Sequence, residues 1–134
     1  MVKLILVTHG HLAEEMLQTA SQILGKAAEN VQTLSVTTST SIEQGTNQLL
    51  PLLKDSAEGA IVLTDIFGGS ATNIALTASK DLAKCHVITG LNLSMLLTAL
   101  NNRKKLTDKE LAEKIESDGK RAVINATELL IKGL

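Results

Sequence analysis

Val2-Lys3-Leu4-Ile5-Leu6-Val7-Thr8 is an apolar run of strand length that ends on His9, and a second run, Gly59-Ala60-Ile61-Val62-Leu63, leads into Thr64-Asp65-Ile66-Phe67-Gly68-Gly69-Ser70. Near-continuous apolar runs mark strands covered on both faces, the parallel kind that helices sandwich. If both strands are parallel, their carboxyl ends share one edge of the sheet, where open α/β folds bind their ligands. That edge then carries an imidazole, His9, and a carboxylate, Asp65. Such a pair suits a reaction in which a neutral ring nitrogen attacks, because the carboxylate holds the other nitrogen as N–H and fixes the tautomer.

Outward from these runs, strand and helix signals alternate. Leu12 to Leu24 is amphipathic and closes at Gly25; Val31 to Val36 reads as a weaker strand. Thr40-Ser41-Ile42-Glu43 has the form of a capping box opening a helix through Leu49, Leu50 and Leu53, with Pro51 straining its last turn. Ser70 or Thr72 is expected to cap a third helix reaching Leu82, followed by a strand from Cys85 to Thr89 and a short helix from Leu91 to Leu100. Thr107 and Glu110 form another capping box, for a helix ending near Asp118-Gly119, and Arg121 to Leu130 fits helix or strand. Regular alternation means right-handed βαβ units. The expected fold is therefore α/β, a mainly parallel open sheet of order 2-1-3-4 with helices on both faces. In that order strands one and three are neighbours about 5 Å apart, so His9 and Asp65 meet at the point where the winding reverses.

Phosphate chemistry fits this edge. Gly68-Gly69-Ser70 offers a permissive backbone just before a helix whose first N–H groups favour an oxyanion, and Ser70 adds a hydroxyl. Thr8 and Thr64 supply further hydroxyls at the strand ends, and no lysine or arginine stands beside either motif. A site without a fixed cation holds phosphate moderately, which suits handing it on. The candidate set is thus His9 and Asp65 as reacting groups, with Thr8, Gly68, Gly69 and Ser70 around the phosphate. Phe67, the only aromatic residue, either folds over the strand ends as packing or stands exposed as an anchor for a docking protein. His9 and His11 make a poor metal ligand set, with no cysteine near and His86 on another strand, so neither metal nor cofactor is expected. His86 is read as packing at the core edge, Cys85 as a small buried residue, and Glu14 and Glu15 as acids favoured by the dipole of the first helix.

Composition agrees. With 134 residues, 44% of them hydrophobic, the chain suits a single domain with a proper core of Leu, Ile, Val and Ala. A net charge of −1 argues against a nucleic-acid partner. A lone cysteine, no cleavage-type leader and no run of about 20 apolar residues lead to the expectation of a soluble cytoplasmic protein.

Leu6-Val7-Thr8-His9-Gly10-His11-Leu12-Ala13-Glu14, Leu63-Thr64-Asp65-Ile66-Phe67-Gly68-Gly69-Ser70-Ala71-Thr72-Asn73 and Val87-Ile88-Thr89-Gly90-Leu91-Asn92-Leu93-Ser94-Met95-Leu96 together resemble the enzyme IIA domain of the mannose family of the bacterial sugar phosphotransferase system. The resemblance spans essentially the whole chain, in order, so residues 1–134 are read as one IIA-type phosphocarrier domain. It implies a phosphotransferase component in which His9 takes a phosphoryl group from the phosphocarrier protein HPr and passes it to a IIB domain serving the IIC/IID membrane permease. Asp65 matches the carboxylate that orients the histidine, Ser70 the hydroxyl near the phosphate, and Phe67 the aromatic of the loop. It also implies a homodimer formed by exchange of a carboxyl-terminal strand, an antiparallel fifth strand at Arg121 to Leu130. Members often carry proline after the serine, where this chain has Ala71. Since the sequence stops at Leu134, the IIB protein is expected to be a separate polypeptide. The alternatives are the phosphotransfer subunit of a dihydroxyacetone kinase, a related domain with a different acceptor, and a histidine phosphatase, which wants an arginine where Thr8 stands. A receiver domain would need magnesium-binding acids after the first strand, and His9-Gly10-His11 offers none.

Overall fold

The computed structural model describes residues 1–133. Its strands are β1 (Lys3–His9), β2 (Val31–Val36), β3 (Ala60–Thr64) and β4 (Cys85–Ile88), all parallel in the order β2-β1-β3-β4. Helices α1 (Leu12–Leu24), α2 (Ile42–Lys54), α3 (Ser70–Ser79), α4 (Leu93–Asn102), α5 (Asp108–Arg121) and α6 (Ala126–Ile131) complete the chain, with a 3-10 turn at Gly25–Ala28. The expected architecture and winding are present.

Strand alternation sorts the core into two layers. Leu4 and Leu6 of β1 and Ile61 and Leu63 of β3 face α1, α4 and α5, burying against Ala13, Leu96 and Ile115. Ile5, Val7, Ala60 and Val62 face the other way, against Leu49 of α2 and Ile74 of α3. Each such buried Leu or Ile is worth about 1.5–3 kcal/mol. Small residues let the layers close: a Cβ on Gly45 would stand 2.3 Å from Ile74 Cδ1, and one on Gly119 would stand 2.5 Å from Met95 Cγ.

Several local expectations are corrected. The capping box of α2 is formed by Ser41 and Gln44, each side chain bonding the other's amide, in place of Thr40 and Glu43. No side chain caps α3, whose N-cap is Gly69, and that helix stops at Ser79 instead of Leu82. α5 runs through Gly119 to Arg121, because that glycine serves the contact with Met95 and not a helix stop. The fifth strand at Arg121 to Leu130 is not found among the described residues: Arg121 ends α5 and α6 takes up the second half of the segment, capped by the Asn125 side chain on the Glu128 amide. Among the described residues this segment pairs with neither β2 nor β4, the edges of the sheet, and its backbone hydrogen bonds are made within α6 instead. No residue of α6 is buried.

Candidate functional site

Alternation also aims the chemistry. Odd positions of β1 face α2 and α3, so His9 at its end projects towards the start of α3, whereas Thr8 points to α1. In the β1–β3 register Val7 lies opposite Thr64, which sets Asp65 beside His9. The Asp65 Oδ2 atom accepts two hydrogen bonds from His9, from its amide at 2.8 Å and from Nδ1 at 2.9 Å, while Oδ1 accepts the Ile66 amide at 3.0 Å. The carboxylate can only accept, so Nδ1 carries the hydrogen and Nε2 keeps its lone pair. The His9 side chain is 48% exposed and that of Asp65 only 11%, a reachable ring on a sheltered support. Burial alone would raise the Asp65 carboxyl, but the amide and ring of His9 and the Ile66 amide together hold it below the ordinary carboxylate value.

The loop after Asp65 brings the ring to a helix end. Gly69 N–H donates to the Ile66 carbonyl at 3.3 Å across a tight turn whose third residue, Gly68, has φ +84°, a conformation side chains resist. At Gly69 the constraint is space: a Cβ would stand 3.0 Å from His9 Cε1 and 2.9 Å from Ile66 Cγ2. Because Cε1 is bonded to Nε2, the reactive nitrogen lies close to the uncapped start of α3, where the Ser70 and Ala71 amides have no intrahelical partner. A phosphoryl group on Nε2 would meet those amides, the positive end of the helix dipole and the exposed Ser70 hydroxyl.

The structure thus brings His9, Asp65, Gly68, Gly69 and Ser70 together, and leaves Thr8 out. Thr8 is fully buried and its Oγ1 accepts the Ala13 amide at 2.8 Å, securing the start of α1 in place of contacting a phosphate. Phe67 is 79% exposed at the turn, so the packing reading does not describe it. Thr72, expected at most as a cap, instead bonds the Thr64 hydroxyl and the Ile66 carbonyl; its position three residues into a helix entered from Thr64-Asp65 is the signal that sequence reading passed over. His86 is tied by Nε2 to Asp108 Oδ2 at 2.7 Å, joining β4 to the start of α5. Cys85 is half-buried, and burial pushes its thiol up to about 11, so it stays protonated. Arg103 is buried with its guanidinium on the carbonyls of Ala27, Glu29 and Asn30, so it does not stand in for the arginine that a phosphatase would carry in place of Thr8. Among the described residues no cluster of three metal-type ligands occurs, and no helix is long and apolar enough to cross a membrane.

Comparisons with known proteins show the family and the fold. Residues 3–116 match the family model EIIA-man, described as the PTS system fructose IIA component. The chain is 35% identical over 112 residues to the PTS system mannose-specific EIIAB component of Escherichia coli K12, covering 76% of this chain and 32% of that protein, so it spans about a third of that relative's length. Its structure superposes on the phosphotransferase system component EIIA from Streptococcus agalactiae with a TM-score of 0.87 at 26% identity, covering 96% of this chain and 99% of that one. The mannose/sorbose specific IIA subunit from Enterococcus faecalis gives a TM-score of 0.84 at 31% identity over 92% and 93% of the two chains.

Proposed function

Since the chain belongs to the EIIA-man family of phosphotransferase-system IIA components, we propose that it carries a phosphoryl group on Nε2 of His9, taken from the phosphocarrier protein HPr and delivered to a IIB protein of a sugar-uptake system. The observation that carries this reading is the double acceptance of His9 by Asp65 Oδ2, which leaves Nε2 as the free nucleophile at the mouth of α3. In the first step the Nε2 lone pair attacks phosphorus, a P–N bond forms, and the electron pair of the donor's P–N bond returns to the donor's imidazole. The Nδ1 hydrogen stays between ring and carboxylate, and Asp65 offsets the positive charge that develops on the ring. Transfer to the IIB protein reverses these roles. On this reading residues 1–134 act as one IIA-type domain, the exchange is cytoplasmic, and the IIC/IID permease is reached only through IIB. The test is incubation with enzyme I, HPr and labelled phosphoenolpyruvate: an acid-labile, alkali-stable label mapping to His9 supports the reading, and label on any other residue overturns it.

Phe67 is assigned to docking. An exposed aromatic beside the reacting ring is the type of residue that anchors a partner. Phe67→Ala is expected to raise the KM for phosphorylated HPr about tenfold, equivalent to ~1.4 kcal/mol, with an unchanged melting temperature. A large drop in melting temperature at constant KM would return Phe67 to packing.

The homodimer belongs to the same proposal. β4 is an edge strand in this chain, and Val123, Ile124, Leu130 and Ile131 of the tail are exposed. A six-residue helix without buried residues is marginal by itself, so giving up α6 to pair as a strand with a second copy costs little. Light scattering should give about twice the 14.2 kDa chain mass, reverting to one chain when residues after Ala122 are removed; a monomer at full length rules the dimer out.

A further inference from the structure

Two buried hydroxyls at the carboxyl edge of the sheet take no part in the phosphoryl step proposed above, and one of them, Thr64, is turned onto Thr72 instead of towards a phosphate. Thr64 ends β3 and is 0% exposed; Thr72 is the third residue of α3 and is 1% exposed. Their Oγ1 atoms lie 2.7 Å apart, and Thr72 Oγ1 donates to the Ile66 carbonyl at 2.6 Å. A hydroxyl has one hydrogen. Because that of Thr72 goes to Ile66, the hydrogen between the threonines is Thr64's, and the chain has a single direction: Thr64 to Thr72 to the Ile66 carbonyl. Its origin is firm, since the Thr64 carbonyl also accepts the Leu91 amide at 2.9 Å.

We propose that Thr72, backed by Thr64, is a positioning residue for phosphoryl transfer. It holds the Ile66 carbonyl so that Asp65 stays on Nδ1 of His9 and the first amides of α3 stay beside Nε2. The inference rests on the carrier reading of the site and adds to it a residue that touches neither His9 nor the phosphoryl group. Its physical basis is direction. Side chains in a helix lean towards its amino terminus, so Thr72 reaches back beneath the loop. The loop is therefore secured from inside, and no capping side chain occupies the amides that an oxyanion needs. Away from water, such a chain of hydrogen bonds keeps its strength and its geometry.

Without the Thr72 hydroxyl, the Thr64 hydroxyl loses its acceptor and the Ile66 carbonyl keeps only the 3.3 Å bond from Gly69. The turn then loosens between Asp65 and Gly69, the two residues that flank the His9 ring. Displacements of about 1 Å at a reacting pair cost up to ~100-fold in rate.

The variants are Thr72→Val, which keeps the shape and removes the hydroxyl, and Thr72→Ser, which restores it. Two measurements are made: the kinetics of uptake from phosphorylated HPr, giving kcat and KM, and the nitrogen NMR signals of the His9 ring in the free protein. Thr72→Val is expected to lower kcat about tenfold with KM within about twofold, and to weaken the Nδ1–H pattern; Thr72→Ser should recover both. Wild-type kcat and ring signals in Thr72→Val, with only a lower Tm, overturn the proposal and leave Thr72 a packing residue. If the parent protein takes up no phosphoryl group, the carrier reading falls, while the ring signals still decide whether Thr72 orients His9. Should Thr72→Val not fold, Thr64→Val removes only the first link and is expected to show the same kcat-against-KM split at smaller size; unchanged kcat and ring signals there overturn the proposal equally.

Discussion

His9→Ala is expected to take up no measurable phosphoryl group from phosphorylated HPr, and to melt within about 5 °C of the parent protein. The two halves of this expectation have separate causes. Uptake vanishes because, among the described residues, His9 is the imidazole that combines a carboxylate on one nitrogen with an uncapped helix start beside the other: His11 is exposed and leans on Glu14, and His86, held by Asp108 in the same way, sits at the start of α5, which Thr107 caps. Removing a covalent carrier is a loss of several powers of ten, since no neighbouring group can form the same intermediate. Stability hardly changes because the ring is about half exposed and makes one hydrogen bond, worth about 1 kcal/mol. The amide of residue 9 remains on Asp65 Oδ2, so the loop keeps its anchor. Phosphate uptake followed by gel mobility or mass, together with a thermal melt, reads both halves. Uptake equal to that of the parent would end the assignment of His9 as carrier.

Asp65→Asn should fold and transfer about 10²–10⁴ times more slowly, the size of effect that a wrong histidine tautomer produces in a catalytic triad. Asp65 accepts three N–H groups, two on Oδ2 and one on Oδ1. An asparagine has one oxygen. If that oxygen keeps both His9 hydrogen bonds, the amide NH2 confronts the Ile66 N–H; if it turns to Ile66, the NH2 confronts His9 and favours the tautomer with hydrogen on Nε2, which cannot attack. Single-turnover kinetics and the ring nitrogen signals check this together. An unchanged rate would remove Asp65 from the mechanism. The pH dependence has a definite sign. The Asp65 carboxyl sits below its ordinary value in the folded protein, so its contribution to stability is complete above about pH 4 and disappears as pH falls through the lowered value. The stability gap between parent and Asp65→Asn should therefore shrink in acid.

Much of the site was legible before any coordinates. The two apolar runs and the glycines after the second were enough to place His9, Asp65 and the start of α3 at one sheet edge, because parallel strands joined by right-handed helices leave little choice of topology. Legibility failed where a contact depended on side-chain direction. Thr8 and His9 are adjacent hydroxyl and imidazole in sequence, yet they point to opposite faces, and only His9 meets α3. Thr72 sits in an ordinary helix start, and nothing local distinguishes a cap from a strut that reaches Ile66 and Thr64. Gly119 has the form of a helix stop, and only the approach of Met95 from α4 explains why the helix passes through it.

The sequence by itself determined the fold class, the strand order and the family, along with the chemistry on offer: an imidazole, a carboxylate and a glycine-flanked helix start. These follow from periodicity and motif order, which are properties of the chain read along its length. Tertiary structure alone decided that Asp65 accepts both N–H groups of His9, that Gly69 gives room for the ring, that Phe67 faces solvent and that Thr8 is buried under α1. Those outcomes depend on register between strands far apart in sequence, where a shift of one residue turns each side chain to the opposite face of the sheet.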